Sequence, residues 1–398
     1  MKIVLASDMR ALRCRAKEIA GHVGALSWKD GILTPESQSR FLLEMQRIMK
    51  ENRVTGASLV LVHDRKPKIY PFGMAHIRPH DPVRTDTCFR MASITKLVVT
   101  FGFFSLLEEG LLSLDTDVSE ILGFPLRHPS YPQVAITARM LMTHTSGITD
   151  FGSYGKVSPD HPPPLNELLK RSDCWRATAP GESFHYSNLG AGITGVLMEI
   201  VSHLPLADMM HLRIFEPLGI RATLDPRRVT PKEDLADGYR IPRLPFLPPH
   251  CVYNASRLSS RPEEIFDPKV DYFSGSGRLI ADGRGAADLL SLLLSKEDTP
   301  VLSRASLQEM RTLQDGHGGI AYAGRGLNVA FLPGVFPGRT LLGHQGVAYG
   351  MCAELFGDPE TGDGAVVLTN GMNLHKRREP FTEGGFDLLA LAFSALAS

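Results

Sequence analysis

No sign of charge dominates this 398-residue chain, because 43 Lys+Arg are balanced by 43 Asp+Glu. A dedicated nucleic-acid binder needs clustered, uncompensated cations, so the balance argues against that class. Cysteine is scarce: Cys14, Cys88, Cys174, Cys251 and Cys352 are scattered and odd in number, without the C-x-x-C pair of a zinc ribbon or a redox motif. That usage fits a reducing compartment. Long apolar runs are missing too. The longest, Leu97 to Leu107, falls well short of the roughly 20 residues that cross a bilayer, and only Ile3 to Ala6 precedes Asp8 where a secretory leader carries a long apolar core. The expectation is a cytoplasmic protein with no membrane span. No H-E-x-x-H, H-x-H or G-x-S-x-G occurs, which removes the common zinc-hydrolase signatures and the nucleophile elbow, and nothing calls for a metal or an organic cofactor.

What is present is an ordinary globular composition, 43% hydrophobic and 22% charged, over a length that at about 150 residues per domain allows two or three structural units. Helical periodicity runs from Pro35 to about Lys50 and gives way to a β-like run, Gly56 to His63, and a second, Lys68 to Met74, joined as a hairpin by Asp64-Arg-Lys-Pro67. A helix from Ser93 to a stop at Gly110 is apolar nearly all round, so it is expected inside. Helical segments follow at Ile136 to Met142, Leu165 to Lys170, Leu189 to Ser202 and Leu206 to Phe215. Prolines crowd between Arg240 and Pro268, which reads as either a functional flap or a disordered segment, and its position is expected to make it a wall of the acyl pocket. After a helix at Gly283 to Leu294 come β-like runs at Gly326 to Leu332, Arg339 to His344, Tyr349 to Phe356 and Gly364 to Thr369, then a terminal helix, Phe386 to Ala397. Strands at both ends with helices between imply an α/β (α+β) protein. One antiparallel sheet, from residues 1–110 and 260–398, is split by a mostly α-helical unit over 111–259.

Three short motifs carry chemistry. Ser93-Ile-Thr-Lys96 opens the buried helix, and the (i, i+3) spacing places hydroxyl and ammonium on one face, where a desolvated lysine can act as base or tune another one. A second match, Ser153-Tyr-Gly-Lys156, lies among Gly152, Gly155 and Pro159 with no rigid element to aim it, and is set aside. Tyr186-Ser-Asn188 precedes a helix; a phenol beside an ammonium can take the serine proton and return it to a leaving group, and the asparagine amide can orient the lysine or bind a carbonyl. His344-Gln-Gly346 falls at a strand end, where glycine lets a substrate lie close and the Val347 N–H can join the Ser93 N–H as an oxyanion hole. Gly190-Ala-Gly-Ile-Thr-Gly195 fits a dinucleotide fingerprint but lacks the preceding strand, so it reads as close helix packing behind Tyr186; His144 reads as a core or capping histidine.

In this order the three motifs resemble the class C β-lactamase-like serine hydrolases, which include penicillin-binding D-alanyl-D-alanine peptidases, D-aminopeptidases, carboxylesterases and transesterases. The likeness extends through Met91 to Lys96, Glu108 to Asp115, Leu141 to Gly147, Pro180-Gly181, Ser276 to Ile280 and Asp358 to Asn370. It implies a β-lactamase/transpeptidase-like fold and an acyl-Ser93 intermediate. Lys96 and Tyr186 would form the base system, Asn188, His344, Gly346 and Val347 would bind substrate, and a small-molecule ester or amide, or a D-amino-acid peptide, would be cleaved. Where the family carries Lys followed by Thr or Ser, this chain carries His344-Gln345, a weaker anion partner that points away from efficient β-lactam hydrolysis. An enzyme is favoured over a silent ligand-binding family member, because Ser93, Lys96 and Tyr186 are all intact.

Overall fold

The run from Gly56 to Val62 is buried at every position, without the polar alternation of a half-exposed strand. The cause is visible in a computed structural model, which describes residues 6–158, 161–259, 267–268, 271–314 and 324–397. The strands of the main sheet are β1 (Gly56–His63), β2 (Lys66–His76), β3 (Asp81–Pro82), β4 (Gly324–Arg325), β5 (Ala330–Pro333), β6 (Thr340–Ala348), β7 (Met351–Gly357) and β8 (Gly364–Thr369). Among the described residues they pair antiparallel in the order β4-β5-β6-β7-β8-β1-β2-β3, so the sheet is completed from both ends of the chain. Leu59 and Leu61 face a core shared with the helices α1 (Ala6–Val23), α2 (Pro35–Glu51) and α6 (Glu383–Ala395). Val60 and Val62 face the opposite core, shared with α3 (Ile94–Glu108), α4 (Asn188–Ser202) and α5 (Gly283–Leu294). A sheet covered on both faces needs apolar residues on both, which is why β1 reads as a continuous run.

Register decides where the sheet stays open. β5 pairs only with Thr340–Gly343 of β6, so the remainder of β6, His344 to Ala348, is an edge on that side. That edge passes the start of α3. No helix among the described residues is long and apolar enough by itself to cross a membrane.

Several sequence expectations shift. The β1–β2 connection is two residues, not four: Asp64 and Arg65 both take positive φ (49° and 60°), the conformation whose twist suits a two-residue hairpin, and Lys66 and Pro67 join β2. Tyr349, expected in a strand, sits with Gly350 in the equivalent turn between β6 and β7, at φ 52° and 87°. Consequently β6 continues to Ala348 and the His344-Gln-Gly346 motif lies inside the strand rather than at its end. The proline-crowded segment contains a hairpin, Gly238–Arg240 with His250–Tyr253, and a short helix, Ala255–Ser259; residues 260–266 fall outside the described set.

Helix α1 was not anticipated, although Leu12, Ala16, Ile19 and Val23 mark one buried face at helical spacing. Arg15 ties it to α6: Nε donates to Asp387 Oδ1 at 2.8 Å and a terminal nitrogen to Oδ2 at 2.6 Å, with the aspartate side chain 1% exposed. Removing one partner of a buried pair leaves an uncompensated charge, so Arg15→Ala should cost about 3 kcal/mol or more in urea unfolding. Truncating the half-buried Arg213, paired to the exposed Glu109, should cost less than about 1 kcal/mol.

On β7, Glu354 is fully buried beside Cys352 Sγ (3.3 Å), and burial pushes its carboxyl up to about 8. In the folded state it therefore holds a proton that the unfolded chain releases near 4.5, so stability should fall as pH rises between those values and level off above about 8. Denaturant midpoints measured across that window should slope downward, and Glu354→Gln should make the slope shallower, the remainder belonging to Glu199, which burial raises likewise.

Candidate active site

Ser93 stands immediately before the first turn of α3, reached through Ala92 in the left-handed region at φ 46°, a strained conformation for a residue with a Cβ. The three-residue spacing brings Lys96 Nζ to 3.1 Å from Ser93 Oγ. Lys96 is 1% exposed, and an ammonium so far from water needs a partner for each of its three protons. It has them: besides Ser93 Oγ, it donates to Asn188 Oδ1 at 2.8 Å and to the Ser276 carbonyl at 2.7 Å. All three acceptors are neutral. Tyr186 completes the cluster, with its hydroxyl 2.7 Å from Ser93 Oγ and its ring 4.9 Å from Lys96 Nζ.

The second motif is held by a carboxylate that sequence reasoning missed. Asp150 accepts from the Asn188 and Leu189 backbone N–H groups at 2.8 and 3.1 Å, from Ser187 Oγ at 3.1 Å, and from Asn188 Nδ2 at 2.7 Å. Negative charge at a helix N-terminus is favourable, and here it caps α4. The same contact settles the amide of Asn188: with Nδ2 on Asp150, Oδ1 is turned onto Lys96. No local signal in the sequence shows Asp150 facing a helix 38 residues later, and the Ser276 carbonyl has no side-chain signature at all. His144 is a buried structural residue, as expected: Nδ1 accepts the Ser187 N–H at 3.2 Å, and its ring lies 4.6 Å from that of Tyr186.

The third motif meets the first through glycine. A Cβ on Gly346 would sit 2.1 Å from the Met91 carbonyl and 2.9 Å from the Ser93 nitrogen, so only glycine lets β6 pass the head of α3 at this distance. Cys352, which faces Val347 across the β6–β7 pair, sends its N–H the other way, to Thr369 Oγ1 on β8. Val347 is therefore in a non-hydrogen-bonded pair with β7, and its N–H and C=O point off the open edge of β6, beside the Ser93 N–H. His344 is 5% exposed, and its Nδ1 lies 2.6 Å from the neighbouring Gln345 carbonyl, so this ring is anchored to its own strand.

The decoys separate cleanly. Ser153 bonds Asp173 and Arg171 at the surface. A Cβ on Gly192 would lie 1.8 Å from the Tyr272 carbonyl, and one on Gly275 2.6 Å from that of Ala191; the glycine-rich stretch serves helix packing behind Tyr186.

A family model described as Beta-lactamase matches residues 44–384. The chain belongs to the beta-lactamase family. Over 255 residues it is 28% identical to Esterase EstB of Burkholderia gladioli, covering 58% of this chain and 63% of that one. Over 178 residues it is 29% identical to Penicillin-binding protein 4* of Bacillus subtilis, covering 43% and 38%. Both matches span less than two thirds of the relative's length. The octameric penicillin-binding protein homologue from Pyrococcus abyssi shares the fold, at TM-score 0.72 and 23% identity, over 90% of this chain and 77% of that one.

In this beta-lactamase-family protein Asp150 is a positioning residue, acting on Lys96 through Asn188. Asp150→Ala should slow labelling of Ser93 by a fluorophosphonate by roughly 100-fold, the scale of a misplacement of about 1 Å, while the far-UV spectrum stays folded. Labelling at the wild-type rate would remove Asp150 from the site.

Proposed function

We propose that the chain is a serine acyl-hydrolase that forms an acyl-Ser93 intermediate on a small-molecule ester or amide. The observation that carries this reading is Ser93 Oγ held between Tyr186 Oη at 2.7 Å and Lys96 Nζ at 3.1 Å, with two backbone N–H groups, those of Ser93 and Val347, beside it. Ser93 Oγ attacks the substrate carbonyl carbon, and its proton passes to the base system of Tyr186 and Lys96, both within hydrogen-bond reach of it. The N–H groups of Ser93 and Val347 take the developing oxyanion. As the tetrahedral intermediate collapses, the bond to the leaving alcohol or amine breaks and Tyr186 returns the proton to it. Water then repeats the sequence on the acyl-enzyme, giving the acid and free Ser93. Asn188 keeps Lys96 aimed, and the outward Val347 carbonyl offers an acceptor to a substrate N–H.

Among acyl compounds, esters are the favoured class. His344 stands where the family carries lysine and is tied to the Gln345 carbonyl, leaving the carboxylate of a β-lactam a poorer partner there; the likeness to EstB, an esterase by name, supports the same choice. The five unpaired thiols, including the exposed Cys14 and Cys251, support a reducing, cytoplasmic location.

Ser93→Ala should abolish turnover of an activated aryl ester, by at least about a thousandfold, while Ser153→Ala leaves it nearly unchanged. Intact-mass analysis of wild type quenched during turnover should find the acyl group on the peptide containing Ser93. Equal rates in wild type and Ser93→Ala would overturn the mechanism.

A further inference from the structure

A cleft of about 810 Å³ opens from the catalytic cluster and is lined at its near end by Asn188, Ser276, Arg90 and Tyr349. Ser93, Lys96, Tyr186 and His344 are not among its walls, so it meets the cluster on the side of Asn188 and Ser276, two of the acceptors of Lys96. The leaving group must lie against Tyr186, which returns its proton, and a cleft that meets the cluster at Asn188 and Ser276 instead is open to the acyl portion.

Arg90, three residues before Ser93, is built into this end. Its Nε donates to the Gly277 carbonyl at 2.9 Å, and its guanidinium lies over the rings of Tyr253 at 5.2 Å and Tyr349 at 4.8 Å. The aromatic faces fix the plane of the cation without neutralising it. Three other arginines of the cleft are compensated, Arg227 by Asp225, Arg228 by Asp208 and Arg278 by Asp271. Arg257 has no such partner among the described residues, but it lies on the short helix Ala255–Ser259, whereas Arg90 is bonded to Gly277, next to the Ser276 carbonyl that holds Lys96. Arg90 has no carboxylate within ion-pair distance among the described residues. The remaining acid of the lining, Glu199, is 2% exposed and accepts from the Leu206 N–H at 2.8 Å; burial pushes its carboxyl up to about 8, which favours its neutral form.

We propose that Arg90 is a specificity-determining residue that binds an anionic substituent on the acyl group, so that the preferred substrates are esters of acids carrying a second carboxylate. The inference rests on the acyl-Ser93 reading. It moves anion recognition from the strand motif, where His344 stands, to the opposite end of the nucleophile's own turn. The two tyrosines give the methylene chain of such an acid an apolar wall, and the half-buried guanidinium supplies a forked donor at its end.

The experiment uses two aryl esters of adipic acid with the same leaving group and chain length, one with the distal carboxylate free and one with it capped as a methyl ester. For wild type, kcat/KM should favour the free carboxylate by roughly 10- to 100-fold, the scale of one charge-assisted contact, and the preference should shrink with added salt. In Arg90→Gln and in Arg90→Lys the ratio of the two rates should collapse toward unity in the first and partly in the second. A purely structural role for Arg90 would lower both rates together and leave the ratio unmoved, overturning the assignment while leaving the serine mechanism in place. A wild-type enzyme that turns over both esters without preference overturns it equally, without reliance on any variant. Turnover of neither ester, with no acyl group on Ser93, would overturn both readings.

Discussion

A lysine ammonium withdrawn from water organises this molecule's centre. Three neutral oxygens satisfy Lys96, and each comes from a different part of the chain: Ser93 from the turn before α3, Asn188 from the head of α4, and Ser276 from the short helical turn Ser274–Gly277. A buried cation lacking one of these acceptors is costly, so the charge acts as a constraint that keeps three backbone segments in register. The serine is aimed as a by-product of satisfying the lysine. Asp150 extends the same logic outward by holding the Asn188 amide in the one orientation that presents oxygen to Lys96.

Close approach is the second condition, and it is met by glycine. Gly346 lets the open edge of β6 come against the head of α3, and Gly192 and Gly275 let α4 meet the Ser276 turn. The sheet can present an edge there because β5 covers only the first part of β6, while both faces elsewhere are packed under helices. Ser93, the N–H groups of Ser93 and Val347 and the cleft thus meet at a seam between the sheet and the helices, where backbone groups remain available.

Much of this was legible in the amino-acid order. The apolar run of α3 with a single lysine inside it, and the ordered triplet of short motifs, marked Ser93, Lys96 and Tyr186, because a charge placed among Leu97, Val98 and Val99 demands a reason. The antiparallel sheet drawn from both chain ends followed from β-like runs at 56–74 and 326–369. Helix α1 escaped notice, though its spacing of Leu12, Ala16, Ile19 and Val23 was readable, and strand ends near Asp64-Arg65 and Tyr349-Gly350 shifted because positive φ at a non-glycine residue has weak sequence signature.

Local order by itself marked the candidate residues and the elements they open, since helix spacing and apolar patterning act over a few residues. Tertiary structure alone decided what those residues face. The carboxylate of Asp150 on Asn188, the main-chain oxygen of Ser276 on Lys96, the outward turn of the Val347 N–H and the tyrosine pair around Arg90 all join positions far apart in the chain. Hydrogen bonds and ring contacts reach only a few ångströms, so partners brought together by packing leave no mark in the spacing of the sequence.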